Sequence, residues 1–400
     1  MIASQELLHA LKAQDIQCYA SFPDKWLNPL LQALDADPDV LHLPATIERE
    51  ALGMAVGAQL AGMRSALVMQ NSGIGNLLND WASLACNYEV PVPWIVSDRG
   101  SAGEQVTTQM VWHSRLRAVL AAAELPAQTF ASAAQLPEVS PFIQYGYATR
   151  QCVAALFPHT FWRDDLTVCH TEVGVPPGFP LHPVGWSAQD DHALVPPRAA
   201  WRRFEALECL LEALTNEFLF VTLGDPCKEV YTLRDRAETF YMLGSMGLVL
   251  PLGLGFARAY AALGGQRKTM VVDGDGSQLM QLGSLGTFAR EQPDLALMVI
   301  DNGSYGSTGD QPTLTRTHVH LEGVARAFGL TNTATVGTPQ ELEHRLHTVL
   351  STPGPSLTVV LVQPGAPTTP LVPLAPAAIA ERFQDACRAG DCMLYTAAAL

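Results

Sequence analysis

Short apolar runs punctuate the chain: SALVMQ (65–70), PVPWIVS (91–97), FLFVTLG (218–224), KTMVVDG (268–274), LALMVID (295–301) and SLTVVLV (356–362). None alternates polar with apolar residues, so each predicts a strand buried on both faces, as strands of a parallel sheet are. Segments of helical period separate them and supply the crossovers that parallel strands need. The class predicted is α/β, with strands drawn from both halves of the chain. The pattern lapses from 170 to 200, where HTEVGVPPGFPLHPVGWSAQDDHALVPPRAA holds neither a period of 2 nor one of 3.6 and is rich in Pro, Gly and His. Boundaries follow: a first domain at 1–170, a linker at 171–204, a second domain at 205–385 and a tail at 386–400. The Ala-rich stretch 118–139 reads as helix and loop inside the first domain, and no internal repeat is visible.

Composition narrows the function classes. With 48% hydrophobic and 16% charged residues, 400 residues can bury large sheets in two or three domains. A formal charge of −15 disfavours nucleic acid and anionic membranes as partners, so an anionic ligand has to be held locally by a metal, by helix N-termini or by a few basic side chains. A small molecule is the expected partner. The start, MIASQELLHALKAQDIQCYASFPDKW, lacks a basic stretch before an apolar core, and no run reaches the roughly 18 apolar residues of a membrane span. A soluble, cytoplasmic protein is expected. Eight cysteines without a CxxC pair read as reduced thiols, not as a zinc site or a disulfide framework.

The candidate chemistry sits where strands end. KTMVVDG runs into a Gly-Asp-Gly-Ser turn at 274–277, so Asp275 projects from the carboxyl edge of a sheet, where open α/β sheets bind ligands. The next apolar run closes on Asn302. Two side-chain oxygens, a nearby backbone carbonyl and water leave positions of an octahedron open to a diphosphate, the way Mg²⁺ is usually held. Gly274 and Gly276 allow backbone N–H groups to approach phosphate at a helix N-terminus. GLGFARA (253–259) imitates part of a dinucleotide fingerprint, but has no strand before it in frame and no suitable acid after it.

GDGS followed by DNGSY resembles the diphosphate motif of thiamine diphosphate (ThDP) dependent enzymes. The resemblance implies a metal held by Asp275, Asn302 and the backbone carbonyl of Ser304, with Gly274, Gly276, Ser277 and Tyr305 around the cofactor. Such enzymes need a carboxylate, usually glutamate, beside one ring nitrogen of the aminopyrimidine. The stretch LPATIEREALGMAVGAQLAGMRSALVMQNSGIGN is similar to their pyrimidine-binding domain, and Glu48 takes the glutamate's place, with Glu50 pointing elsewhere on the helix start. YMLGSMG is similar to the loop whose glycine carbonyl and large apolar residue shape the bound cofactor, which implies Gly244, Ser245 and Met246. Two ThDP-binding-fold domains are therefore expected, pyrimidine-binding (Pyr) at 1–170 and diphosphate-binding (PP) at 205–385, each a mostly parallel sheet flanked by helices.

MQNSGIGN, YMLGSMG and NGSYGSTGDQPT resemble the phosphonopyruvate and sulfopyruvate decarboxylase family over most of both domains, but not in the linker or tail. The implied reaction is non-oxidative decarboxylation of a 3-substituted 2-oxo acid to an aldehyde and CO₂, by a homodimer or homotetramer with Pyr/PP sites between subunits. Two departures bear on the substrate. Where the family commonly reads PDS this chain has Pro23, Asp24 and Lys25, and the lysine either meets an anionic tail or is a solvated helix-start residue. After SDRG (97–100) the chain reads QMVWHSR instead of reaching a glycine after its glutamine. That run is similar to the glutamine-to-histidine segment of pyruvate and arylpyruvate decarboxylases, which makes His113 a proton carrier or else an interface or core histidine. Gln109, Asp24 and Arg99 join His113 as candidates for protonation and substrate orientation, and Trp26 and Trp112 for an aromatic pocket. His318 and His320 read as a strand or helix start, not as metal ligands. Two rival readings remain: a decarboxylase of phenylpyruvate or another apolar 2-oxo acid on the same scaffold, and a non-catalytic ThDP-fold partner protein.

Overall fold

The computed structural model describes residues 3–168 and 201–390. The linker expected at 171–204 and the tail expected at 386–400 therefore lie largely outside the described residues. The chain divides into two compact units: Met1–His170 with Arg258–Gly265 and Ala375–Leu400, and Thr171–Ala257 with Gln266–Leu374. The C-terminal helix Pro376–Gly390 thus groups with the first unit, and the second closes at Leu374, short of the boundary expected at 385.

The first unit holds a sheet of β1 (Cys18–Ser21), β2 (Leu41–Pro44), β3 (Ser65–Gln70), β4 (Trp94–Asp98), β5 (Ala127–Thr129) and β6 (Ala154–Pro158), in the order β2-β1-β3-β4-β6-β5. All its pairings are parallel. The second holds β7 (Phe218–Val221), β8 (Thr239–Tyr241), β9 (Thr269–Gly274), β10 (Leu295–Asp301), an antiparallel hairpin of β11 (Ser304–Tyr305) and β12 (Gln311–Pro312), β13 (Thr333–Val336) and β14 (Ser356–Leu361). Its sheet runs β13-β14-β10-β9-β7-β8, again parallel throughout. Read from the opposite edge, that is the strand order of the first sheet. The chain is a structural duplication with no repeat visible in its sequence, and each sheet reverses direction between its first strand and its third (β1/β3, β7/β9). Such a switch point opens a crevice at the carboxyl ends of the strands.

Both sheets are buried as their unbroken apolar runs predict. One face of the first carries Leu7, Leu11, Tyr19, Phe130, Phe157 and Trp162, none more than 1% exposed. The helix Glu48–Leu60 is built largely of Ala and Gly on its sheet-packed sides and is buried nearly all round. In the second unit Phe218, Phe220, Phe240 and Phe256 form a ring cluster. The helix Val249–Ala262 approaches so closely that a methyl at Gly253 would meet Val271 at 2.4 Å. GLGFARA lies inside that helix, so its glycines serve packing. The stretch 118–139 contains the edge strand β5 as well as helix and loop; three residues among alanines are too short to show a period. Cys18, Cys86, Cys152, Cys209, Cys227 and Cys387 are free thiols, and among the described residues no helix is long and apolar enough to cross a membrane.

Candidate active site

In the second unit β9 runs straight into the short helix Asp275–Met280, and β10 ends at Asp301 beside Asn302. One cavity is lined by Met246, Gly274, Asp275, Gly276, Ser277, Asn302, Ser304 and Tyr305. Gly244 and Ser245 lie on the same loop outside that lining; Ser245 is buried and held at φ +59°. Gly274 faces open space, whereas a methyl at Gly276 would lie 2.3 Å from Cε1 of Tyr305. Ser277 Oγ accepts from the Gly247 N–H at 2.9 Å, tying the two loops together.

The donor set is hard oxygen. Asp275 Oδ2 accepts from Thr315 Oγ1 at 2.9 Å and from Thr313, and Thr315 Oγ1 also lies 2.8 Å from Asp301 Oδ1. One hydroxyl carries one hydrogen, so Thr315 cannot donate to both carboxylates. Burial first, then the charge of Asp301, pushes the Asp275 carboxyl up, and burial does the same to Asp301. Two buried carboxylates so placed call for a cation. The cavity's Arg203 cannot supply it, because its guanidinium is matched by Glu229 at 2.8 and 2.9 Å and by Asp225 at 3.3 Å. The residues therefore fit a divalent ion carrying a diphosphate: oxygen ligands, an open glycine face, and a cavity arginine already matched by carboxylates. Asn302 Oδ1 accepts from the Ser304 N–H at 3.0 Å, which fixes its orientation beside the hairpin.

In the first unit Glu48 is 2% exposed, and its Oε2 accepts from Asn76 Nδ2 at 2.9 Å. A methyl at Gly73 would sit 2.5 Å from Glu48 Cγ, so the NSG turn after β3 closes directly on the carboxylate. Glu50 differs: its carboxylate accepts from the Thr46 N–H at 2.7 Å and from the Thr46 hydroxyl, closing the start of the helix. From the turn a network runs to β4. Asn71 Nδ2 donates to Asp98 Oδ1 at 3.1 Å and to the Arg99 carbonyl at 2.7 Å, and Asp98 Oδ1 meets His113 Nδ1 at 2.8 Å. Trp112 donates its indole N–H to the Asn71 carbonyl and lays its ring over Gly75. Gln109 Nε2 donates to Gln70 Oε1 at 3.2 Å, while its own Oε1 is buried without a partner among the described residues.

The loop after β1 lines an open cleft with Lys25, Trp26, Arg99, Glu104 and His159. Arg99 is held by Asp24 and Glu104, each at 2.6 Å, and lies 4.6 Å over the Trp26 ring. Asp24 is engaged at both oxygens, accepting also from Ser97 Oγ at 2.8 Å and the Trp26 N–H at 3.1 Å. Among the described residues Lys25 forms no ion pair. His320 Nδ1 caps the helix Leu321–Ala327 by accepting from the Gly323 N–H, the helix-start position expected of it. Asn76, Asp98, Asp301, Thr313, Thr315 and His159 had no part in the sequence expectation. Asp98 and Asp301 are findable, because each ends an apolar run as Asp275 does; the threonines are not, since only the hairpin brings them to the carboxylates.

Residues 227–360 match the C-terminal TPP binding domain of thiamine pyrophosphate enzymes. In fold the chain is similar to benzoylformate decarboxylase from Polynucleobacter necessarius, with a TM-score of 0.68 at 12% identity over 92% of this chain and all of that one. Duplicated sheets and a matched cofactor domain define a thiamine diphosphate-dependent enzyme. Over 396 residues the chain is 34% identical to phosphonopyruvate decarboxylase from Streptomyces viridochromogenes, covering 96% of this chain and 94% of that one. It is 29% identical over 384 residues to sulfopyruvate decarboxylase from Methanosarcina acetivorans, covering 95% and 96%. The chain belongs to the phosphonopyruvate and sulfopyruvate decarboxylase family of carboxy-lyases.

Proposed function

We propose that this protein decarboxylates a 2-oxo acid with an anionic substituent on C3, 3-phosphonopyruvate or 3-sulfopyruvate, to the aldehyde and CO₂. The observation that carries the tail preference is Lys25: an exposed ammonium on the cleft after β1, without a carboxylate partner among the described residues, next to an arginine already neutralised twice. In this reading Lys25 meets the tail, while Arg99 is a strut that holds Asp24, Glu104 and Trp26 in place. The aryl alternative is disfavoured by the same geometry, because Trp26 lies under Arg99 and Trp112 braces the Asn71 turn.

Bound ThDP supplies a thiazolium carbon that adds to the substrate carbonyl and a ring that takes up the electrons released with CO₂. Glu48, fixed by Asn76 through one oxygen, is proposed to hold a proton at a pyrimidine ring nitrogen through the other. Asp275, Asn302 and the Ser304 carbonyl would hold Mg²⁺, with Gly274 and Gly276 leaving backbone room for phosphate. His113 is the group proposed to give and take protons at the substrate, and Gln109 to orient it. A homodimer or homotetramer is proposed, because the helix Thr107–Ala122 buries only Leu116 and Leu120 and leaves Met110 and Val111 exposed.

The test is CO₂ release by the purified protein with ThDP and Mg²⁺ on 3-phosphonopyruvate, 3-sulfopyruvate, phenylpyruvate and pyruvate. An anionic tail should be preferred, and Lys25→Ser should raise KM for that substrate by roughly 10- to 100-fold, the worth of one charge-assisted hydrogen bond. Preference for phenylpyruvate, or an unchanged KM in Lys25→Ser, rules the assignment out.

A further inference from the structure

One buried carboxylate in the first unit is aimed at a reaction residue and is not itself assigned to the chemistry. Asp98 ends β4 and is fully buried, yet it receives three side-chain partners from two other elements. Asn71, from the turn after β3, donates to Oδ1 at 3.1 Å. His113 Nδ1 meets the same oxygen at 2.8 Å, and the half-exposed Arg117 donates to Oδ2 at 3.1 Å. Gly100 makes the approach possible. It sits at φ +89°, and a methyl there would lie 2.3 Å from the Gln109 carbonyl oxygen and 2.6 Å from His113 Cβ. Only a residue without a side chain lets the helix Thr107–Ala122 come this close to the end of β4.

We infer that Asp98 is the positioning residue for His113: its carboxylate keeps the hydrogen of the neutral imidazole on Nδ1, leaving Nε2 as the nitrogen that exchanges protons with the substrate. An ionised carboxylate only accepts, so the ring nitrogen facing it has to carry hydrogen. Among the described residues Nε2 has no hydrogen-bond partner. Solvent first protonates Nε2; that nitrogen then gives the proton to the substrate carbon that has lost CO₂, the ring returns to neutral with Nδ1–H still donated to Asp98, and the one solvent proton taken up is the one consumed when a carboxylate is replaced by hydrogen. The inference rests on the proposed role of His113 at the substrate.

The test uses the full-length, ThDP-loaded protein labelled with ¹⁵N-histidine, the His113 resonances being assigned by their loss in His113→Gln. In the unsubstituted protein the neutral ring should be mainly the Nδ1–H tautomer, and in Asp98→Asn and Asp98→Ala that form should lose its majority. Kinetically, Asp98→Asn should lower kcat by roughly 10²-fold, within the range of one general acid or base, with KM changed less than about threefold. Because Asp98 acts through His113, Asp98→Asn in a His113→Gln background should cost no further rate. A tautomer unmoved in both Asp98 variants overturns the inference, and so does a fully additive double variant. A protein inert on every 2-oxo acid but with the Nδ1–H tautomer dependent on Asp98 leaves the pairing standing and removes the substrate reading instead.

Discussion

Arg99 shows how much of a cleft's charge is already committed before any ligand arrives. Its guanidinium stands between Asp24 and Glu104 with only a tenth of its side chain exposed, and Glu104 is 5% exposed. The hydrogen bond from Arg99, ahead of backbone donors at Val106 and Gln105, holds the Glu104 carboxyl down to about 2 from an ordinary 4.5. A depressed carboxyl stabilises the fold above its unfolded-state value, and that stability is lost as pH falls toward its folded-state value. Glu104→Gln is therefore expected to destabilise the protein by about 1–3 kcal/mol at pH 7, the range of one hydrogen bond to a charged group. The difference from the unsubstituted protein should narrow as pH falls from about 4.5 toward 2. Denaturant unfolding at pH 7 and pH 3 measures both; a difference that does not depend on pH would mean that the contact is packing and not charge.

The turn after β3 couples an element boundary to the carboxylate it guards. Gly73 has an ordinary helical φ of −62°, so its need for glycine is steric alone, set by the Glu48 side chain. Gly73→Ala should displace that carboxylate without straining the backbone. Its turnover should fall at least tenfold toward that of Glu48→Gln, which is expected to lose roughly 10²- to 10⁴-fold, while circular dichroism and melting stay close to the parent. Full turnover in Gly73→Ala would show that Glu48 has room to yield. The turn was legible in the sequence because Gly, Asn and Ser follow an unbroken apolar run, and the same logic located β3, β4, β7, β9, β10 and β14. β5, β8 and β13, of three or four residues each and outside those apolar runs, give too few positions to show a period, and they became strands only by pairing with longer neighbours. At the site the same division holds. Asp275 and Asn302 were visible as strand ends, whereas Asn76, Thr313 and Thr315 are partners brought from distant sequence by the fold. Asp24 and Arg99, each a separate candidate by sequence, turn out to be each other's counter-ions.

At the scale of the molecule, duplication explains why two sites of different chemistry share one geometry. Parallel topology constrains burial, not identity, so β1 to β6 and the six sheet strands of the second unit keep one order after the residues themselves diverge. The carboxyl edge of one sheet carries a buried glutamate held by an amide, and that of the other carries paired aspartates and glycines. Under the roles proposed for them, neither set alone would both activate and anchor a cofactor, so an enzyme of this kind needs both kinds of unit. The exposed start of the helix Thr107–Ala122, with Val106 at 45%, Met110 at 41% and Val111 at 57% exposure, stands next to Trp112 and His113. A second copy of the chain covering this patch would exclude water from the substrate and bury apolar surface worth about 25 cal/mol per Å². Val111→Glu should accordingly lower both the mass seen in sedimentation equilibrium and the turnover, with activity recovering as protein concentration rises. If the unsubstituted protein sediments as a single chain at full turnover, assembly has no part in the reaction and the exposed helix start needs another partner.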